Sequence, residues 1–157
     1  MNIKEKIFSA LKESNPTLKQ LKDDYYIIGA TALILSGINI EHTSDIDILV
    51  SERDALWLQS EWKNKLINFT PSNSVLFRSY LSRYKFSEMD IEILGSLEVN
   101  KEDIWTPVEI KDFIIFETDD FQVKTPTLEE QERILVFFGR KKDLDRLDLI
   151  RINKKNI

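Results

Sequence analysis

The sequence predicts an α/β (α+β) protein, and three observations carry that prediction. The stretch Tyr25 to Ser51, YYIIGATALILSGINIEHTSDIDILVS, reads as strand, glycine turn, short helix, polar loop and strand. The stretch Glu88 to Leu94, EMDIEIL, repeats a strand alternation with acids on one face. The segment after Lys124 switches to helical spacing.

In the first stretch, Tyr25 to Ile28 is aromatic and β-branched, and Gly29 breaks it where a strand must turn. Ala30 to Ile38 has the small and straight-chain residues of a buried helix, which Gly37 and Asn39 stop. After the polar loop Glu41–Ser44, Asp45 to Val50 begins with strict alternation. Side chains on a strand alternate between faces, so Asp45 and Asp47 share one face, about 6.5–7 Å apart along it. That spacing suits one hard cation, or two lying roughly 3.5–4 Å apart. Gly29 opens a helix start, whose free N–H groups suit a phosphate. Oxygen ligands for a cation beside a phosphate cradle are the equipment of nucleotide chemistry.

The other elements follow from spacing and punctuation. Ile3, Ile7, Phe8 and Leu11 predict a helix over residues 3–13, which Asn15-Pro16 ends. Glu52 to Leu66 predicts a helix capped by Ser51, with Asp54 completing part of a capping box. Asn68 to Ser74 reads as a loop and Val75 to Phe86 as a strand, with Arg78, Arg83 and Lys85 as exposed strand cations within reach of a phosphate. On the strand Glu88–Leu94, Met89, Ile91 and Ile93 form one face and Glu88, Asp90 and Glu92 the other. Three acids on one face repel unless solvated or shared by a cation.

Lys101 to Lys111 reads as a connecting segment, and Phe113–Glu117 with Phe121–Lys124 as a hairpin. Thr127 and Glu130 form a capping box for a helix that Gly139 ends. A tail helix begins near Lys141, and the chain is net basic from Arg140 onward. The chain reads as one domain, with an α/β core over residues 1–124 and a helical C-terminal segment over 125–157 packed on it.

Composition narrows the chemistry. The 157 residues include no cysteine and one histidine, and the net charge is −5. Disulfides and thiolate sites are excluded and a single histidine argues against a His-based zinc site, so any metal is expected on oxygen ligands, which points to Mg²⁺ or Mn²⁺. The acidic balance argues against a surface that coats nucleic acid. The charged start lacks a signal-peptide core, and the apolar run Ile27–Leu35 is too short to span a bilayer, which predicts a cytoplasmic protein with no membrane partner.

Gly29-Ala30-Thr31-Ala32-Leu33 followed by Thr43-Ser44-Asp45-Ile46-Asp47 resembles the DNA polymerase β-like nucleotidyltransferase superfamily. Within it, the chain looks like the small bacterial proteins related to the AbiEii toxin, a likeness that returns in the helix Lys141–Leu147. Ala30 stands where relatives carry a second glycine or a serine, and Glu41-His42 where many carry an arginine.

The resemblance implies a mixed β-sheet flanked by helices, and transfer of a nucleotide from an NTP with Mg²⁺ or Mn²⁺ held by Asp45, Asp47 and a third carboxylate. Asp90 is favoured for the third, with Glu92 as alternate. Gly29, Ala30, Thr31, Ser44 and Lys142 are expected at the nucleotide. The acceptor is expected to be a tRNA, a protein side chain or a small molecule such as an antibiotic, with an antitoxin as a further partner. The alternative is a catalytically inactive nucleotide- or partner-binding module on the same fold.

Overall fold

The computed structural model describes residues 1–71 and 75–155. Among the described residues, five helices surround a six-stranded mixed sheet, and a two-stranded ribbon lies beside it. Helix α1 (Ile3–Leu18) leads into β1 (Tyr26–Ile28), α2 (Gly29–Leu35), β2 (Asp45–Val50) and α3 (Glu52–Glu61). A 3₁₀ turn, Lys63–Lys65, precedes β3 (Leu66–Ile67), β4 (Phe77–Tyr84), β5 (Asp90–Lys101) and β6 (Ile104–Pro107). The ribbon is β7 (Phe113–Glu117) and β8 (Gln122–Pro126), followed by α4 (Leu128–Phe138) and α5 (Lys141–Lys155).

The main sheet runs β1-β2-β5-β4-β3, with β6 paired to the far half of β5. β1 and β2 are antiparallel, although α2 lies between them in sequence. β2 and β5 are parallel and in register, with Asp45 beside Asp90 and Asp47 beside Glu92. The 12-residue β5 is the hub. β4 follows it with an irregularity: from Tyr80 to Arg78 on β4, the partner moves from Gly95 to Glu98 on β5. The extra residue makes a bulge where Ser96 has φ of 48°. A bulge bends a strand and re-aims the residues after it. Asp90, Glu92 and Leu94 therefore share a face with Leu97 and Val99 beyond the bulge, so one face of β5 is acidic at its start and apolar at its end.

The two faces of the sheet pack differently. Ile46, Ile48, Ile91 and Ile93 are fully buried against Ile7, Ala10 and Leu11 of α1 and Ala55 and Leu58 of α3. On the opposite face, Ile28, Leu49, Leu97 and Val99 pack against Ile134 and Phe138 of α4. Leu147 and Ile150 of α5 then join Leu135 of α4 and Leu33 of α2. Helices cover only part of this second face. The uncovered part carries the acids.

Local chemistry explains the element ends. Gly37 (φ 91°) stops α2, and Gly139 (φ 69°) caps α4 in a left-handed conformation. Helix α1 continues through Pro16 for one further turn, because Leu18 is carried into the core at 1% exposure. Helix α3 ends early at Glu61, where Trp62 turns into the core against Tyr84 and Phe86. The segment read as a connection from Lys101 contains β6, joined to β5 through Glu102 and Asp103 at φ of 53° and 65°. Of the loop expected over Asn68–Ser74, residues 72–74 lie outside the described residues.

Two expected capping boxes are half used. Ser51 and Thr127 accept from the backbone N–H of Asp54 and Glu130. The buried Asp54 carboxylate instead accepts from the N–H groups of Lys22 and Asp23 at 3.0 and 2.9 Å. Glu130 accepts from the N–H groups of Lys111 and Asp112 and pairs with Arg133. Each carboxylate fixes a distant chain segment rather than its own helix end.

Gly95 marks a tight contact between α3 and the sheet. A Cβ there would lie 2.4 Å from the Ala55 Cβ and 3.1 Å from the Tyr80 Cβ. Gly95→Ala is expected to destabilise the fold by about 1–3 kcal/mol through overpacking. Urea unfolding of the two proteins measures this, and an unchanged midpoint would refute the contact.

Candidate active site

The open part of the sheet is the floor of a cleft of about 760 Å³, walled by α4 and α5. β2 and β5 set the floor. Parallel, in-register pairing puts Asp45, Asp47, Asp90 and Glu92 on one face, and the apolar partners Ile46, Ile48, Ile91 and Ile93 anchor both strands from behind. Carboxylate oxygens of Asp45, Asp47 and Glu92 lie within 4.8 Å of one another. Of the two candidates for a third carboxylate, Glu92 is the one gathered with the pair. Asp90 is not among the residues lining the cleft, and its carboxylate accepts a hydrogen bond from Arg83 Nε at 3.2 Å. Both acids stand in register with a cluster member, Glu92 beside Asp47 and Asp90 beside Asp45, but Asp90 lies at the strand's start.

Crowding shows in the acidities. Burial pushes the Asp47 carboxyl well above its ordinary value, and the neighbouring Asp45 and Glu92 push it further; Lys142 and Arg146 act in the opposite sense. Glu92 is raised by burial and by Asp45, against the pull of Arg83. A hard cation on these oxygens would relieve the same repulsion. The donor set holds oxygen alone, which fits Mg²⁺ or Mn²⁺ and not a soft metal.

The surroundings brace the acids. Gly29 (φ 70°) lies so close to Asp47 that a Cβ there would meet its Oδ2 at 3.0 Å. Ala30 lines the cleft beside it, and Ser44 and His42 line its mouth. Thr31, expected at the phosphates, is 1% exposed and donates its hydroxyl to the Asp45 carbonyl at 3.3 Å. Thr43 donates to the same carbonyl at 3.3 Å. Both hydroxyls fix Asp45 in place, and the Thr31 hydroxyl is turned away from the cleft by its burial.

Opposite the acids stands a basic wall. Lys142 and Arg146, one turn apart on α5, form it; Arg140, paired with Asp143, and Arg78 of the sheet itself, paired with Glu98, also line the cleft. Desolvation, with Arg140 and Arg146 beside it, holds the Lys142 ammonium below its ordinary value. Arg140 also lies over the rings of Phe77 and Phe138, 4.8 and 5.6 Å from their centroids. Beyond it the cleft becomes apolar, with Leu81, Leu94 and Leu97 among its lining. Arg146 and Arg140 were missed as site residues in the sequence. The four-residue spacing of Lys142 and Arg146 was the available signal, because it places both on one helix face.

No protein-family model matches the sequence, and no curated protein matches it. Solved structures do. A protein of Thermotoga maritima, provisionally assigned as a nucleotidyltransferase, superposes with a TM-score of 0.74 at 22% identity, covering 94% of this chain and 93% of that one. The chain has the nucleotidyltransferase fold. The lincosamide antibiotic adenylyltransferase LnuA, in its lincomycin-bound form, superposes with a TM-score of 0.57 at 15% identity, over 96% of this chain and 98% of that one. An antigenic nucleotidyltransferase-like protein of Paracoccidioides brasiliensis does so with a TM-score of 0.54 at 16% identity, over 96% and 77%. Among the described residues, no helix is long and apolar enough to cross a membrane.

The acidity of Asp47 has a stability consequence whose sign is fixed. Its folded-state pKa lies above the unfolded value, so the ionised carboxylate opposes folding above the ordinary carboxylate range. The penalty grows as pH rises through the interval between the two values and is absent below it. Asp47→Asn is therefore expected to raise the Tm of the metal-free protein at pH 7–8 and to leave it unchanged near pH 3–4. Calorimetry across that range checks the sign, and a lower Tm for the variant at neutral pH would contradict it.

Proposed function

We propose that the chain is a nucleotidyltransferase, dependent on Mg²⁺ or Mn²⁺, that moves an NMP from an NTP to an acceptor hydroxyl with release of pyrophosphate. The observation that supports this most is the meeting of an acidic floor and a basic wall across one cleft. Asp45, Asp47 and Glu92 are the residues that would hold the divalent ions. When bound, these supply charge neutralisation of the triphosphate and lower the pKa of an attacking oxygen.

The chain's own groups have separable parts. Lys142 and Arg146 attract the triphosphate, each as a charge-assisted donor. Gly29 and Ala30 leave the backbone beside Asp47 open to close approach, because neither carries a bulky side chain. Ser44 stands at the cleft mouth, within the nucleotide site expected from the sequence. As the acceptor oxygen bonds to the α-phosphorus and the bond to pyrophosphate breaks, the hydroxyl proton needs a carboxylate to receive it. Glu92, gathered with Asp45 and Asp47 on the floor, is placed for that. Asp90, the carboxylate favoured from sequence, is engaged by Arg83.

For the acceptor, the likeness of Gly29–Leu33 and Thr43–Asp47 to AbiEii-related proteins supports RNA or protein modification within a toxin–antitoxin or phage-defence pair. A small hydroxylated acceptor is the second reading, favoured by the apolar flank formed by Leu81, Leu94 and Leu97. An antibiotic would be one such acceptor.

The test is calorimetric titration of each NTP with Mg²⁺ and with EDTA, followed by transfer assays with α-labelled NTP. Asp45→Asn and Asp47→Asn are expected to abolish Mg²⁺-dependent binding and to lower turnover by about a hundredfold or more. Lys142→Ala is expected to weaken NTP binding about tenfold while preserving the fold. Absence of metal-dependent binding for every NTP would favour the catalytically inactive module.

A further inference from the structure

We propose that Arg83 is a built-in counter-ion of the acidic floor, and that Asp90 is the seat on which its guanidinium stays when a divalent cation takes Asp45 and Glu92. The inference rests on the reading of Asp45, Asp47 and Glu92 as metal ligands.

Arg83 lies on β4 directly across from Glu92 of β5. Its guanidinium meets three carboxylates: Nη1 lies 3.0 Å from Asp45 Oδ2 and 3.8 Å from Glu92 Oε2, and Nε lies 3.2 Å from Asp90 Oδ2. All four side chains are between 19% and 28% exposed, so the pairs are poorly screened by water. The division among the nitrogens matters. One terminal nitrogen serves two of the three clustered carboxylates, and the opposite edge of the group serves the acid outside the cluster.

A guanidinium is a rigid fork with donors on separate edges and stays charged at any working pH. A divalent cation on Asp45 and Glu92 would contend with Nη1 for the same oxygens, and two cations a few ångströms apart repel. Nη1 must give way. Leaving a half-buried cation without any partner is costly, so a remaining carboxylate on the Nε edge makes the exchange feasible. Asp90 is placed for that, off the cleft and already hydrogen-bonded to Nε. Arg83 and Asp90 are thus positioning residues. The arginine keeps the acids together before loading, and the aspartate keeps the arginine from holding them too tightly.

The test measures Mn²⁺ affinity by calorimetry, without nucleotide, on the full chain and on Arg83→Gln, Asp90→Asn and the double variant. Arg83→Gln is expected to tighten Mn²⁺ about two- to fivefold, the range that a partly exposed ion pair supplies. Asp90→Asn is expected to weaken it by a similar factor, and the double variant to follow Arg83→Gln, because Asp90 acts through Arg83. In parallel, the side-chain ¹⁵N signals of Arg83 in the wild type are followed as Mg²⁺ is added. The Nη signals are expected to shift while Nε–H stays protected.

Equal or weaker Mn²⁺ binding in Arg83→Gln, or an unaffected Asp90→Asn, overturns this proposal and leaves the metal reading intact. No Mn²⁺ binding to wild type or Arg83→Gln overturns both. Should Arg83→Gln fail to fold, Arg83 signals that do not respond to saturating Mg²⁺ overturn the proposal by themselves.

Discussion

The parallel, in-register pairing of β2 with β5 is the constraint on which the rest of the structure depends. It brings Asp45, Asp47 and Glu92 onto adjacent strands of one sheet face, where like charges oppose the pairing. The strands stay together because their other face is a continuous layer of isoleucines, all at 0% exposure. Burying four such side chains supplies about 1.5–3 kcal/mol each, enough to outweigh repulsion among partly solvated acids. The site is therefore strained electrostatically and secured hydrophobically, and the two effects are separated by the thickness of one sheet.

The same logic explains the braces around Asp45 and Asp47. Thr31 and Thr43 spend their hydroxyls on one backbone carbonyl, and Gly29 fits against one carboxylate oxygen. None of these groups changes the charge of the floor. They fix where the charge sits, which is what electrostatic preorganisation requires. The basic wall is built differently, from helices whose position depends on Leu135, Leu147 and Ile150 packing together. Floor and wall thus come from distant parts of the chain and meet only in the folded protein.

That separation decides what was legible in the sequence. The strand–glycine–helix–strand unit could be read because turn residues and period-two alternation are local signals, and the mixed sheet flanked by helices followed from its resemblance. Alternation could not choose between Asp90 and Glu92, since both fall on one face; in the fold Glu92 gathers with Asp45 and Asp47, while Asp90 accepts from Arg83 Nε. Thr31 read as a phosphate contact from its place after Gly29, but its rotation on α2 carries it inward. Strand β6 escaped because its turn uses Glu102 and Asp103 in left-handed conformations, where Asn-Gly would have announced a hairpin. Pro16 misled in the opposite way, since burial of Leu18 outweighs the lost hydrogen bond. The basic wall depends on tertiary packing. The sequence offered Lys142, expected at the nucleotide, and a net basic tail from Arg140; the spacing of Lys142 and Arg146 was the further hint.

The bulge at Ser96 divides β5 into two functional lengths. Asp90 and Glu92 before it carry charge on the cleft side, whereas Leu97 and Val99 after it are buried against α4. Exchanging Leu97 or Val99 would disturb the seating of α4 on the sheet while the pairing of β2 with the start of β5 kept its register. One strand therefore combines a charged length with a length that seats a helix, two tasks that the bulge keeps apart.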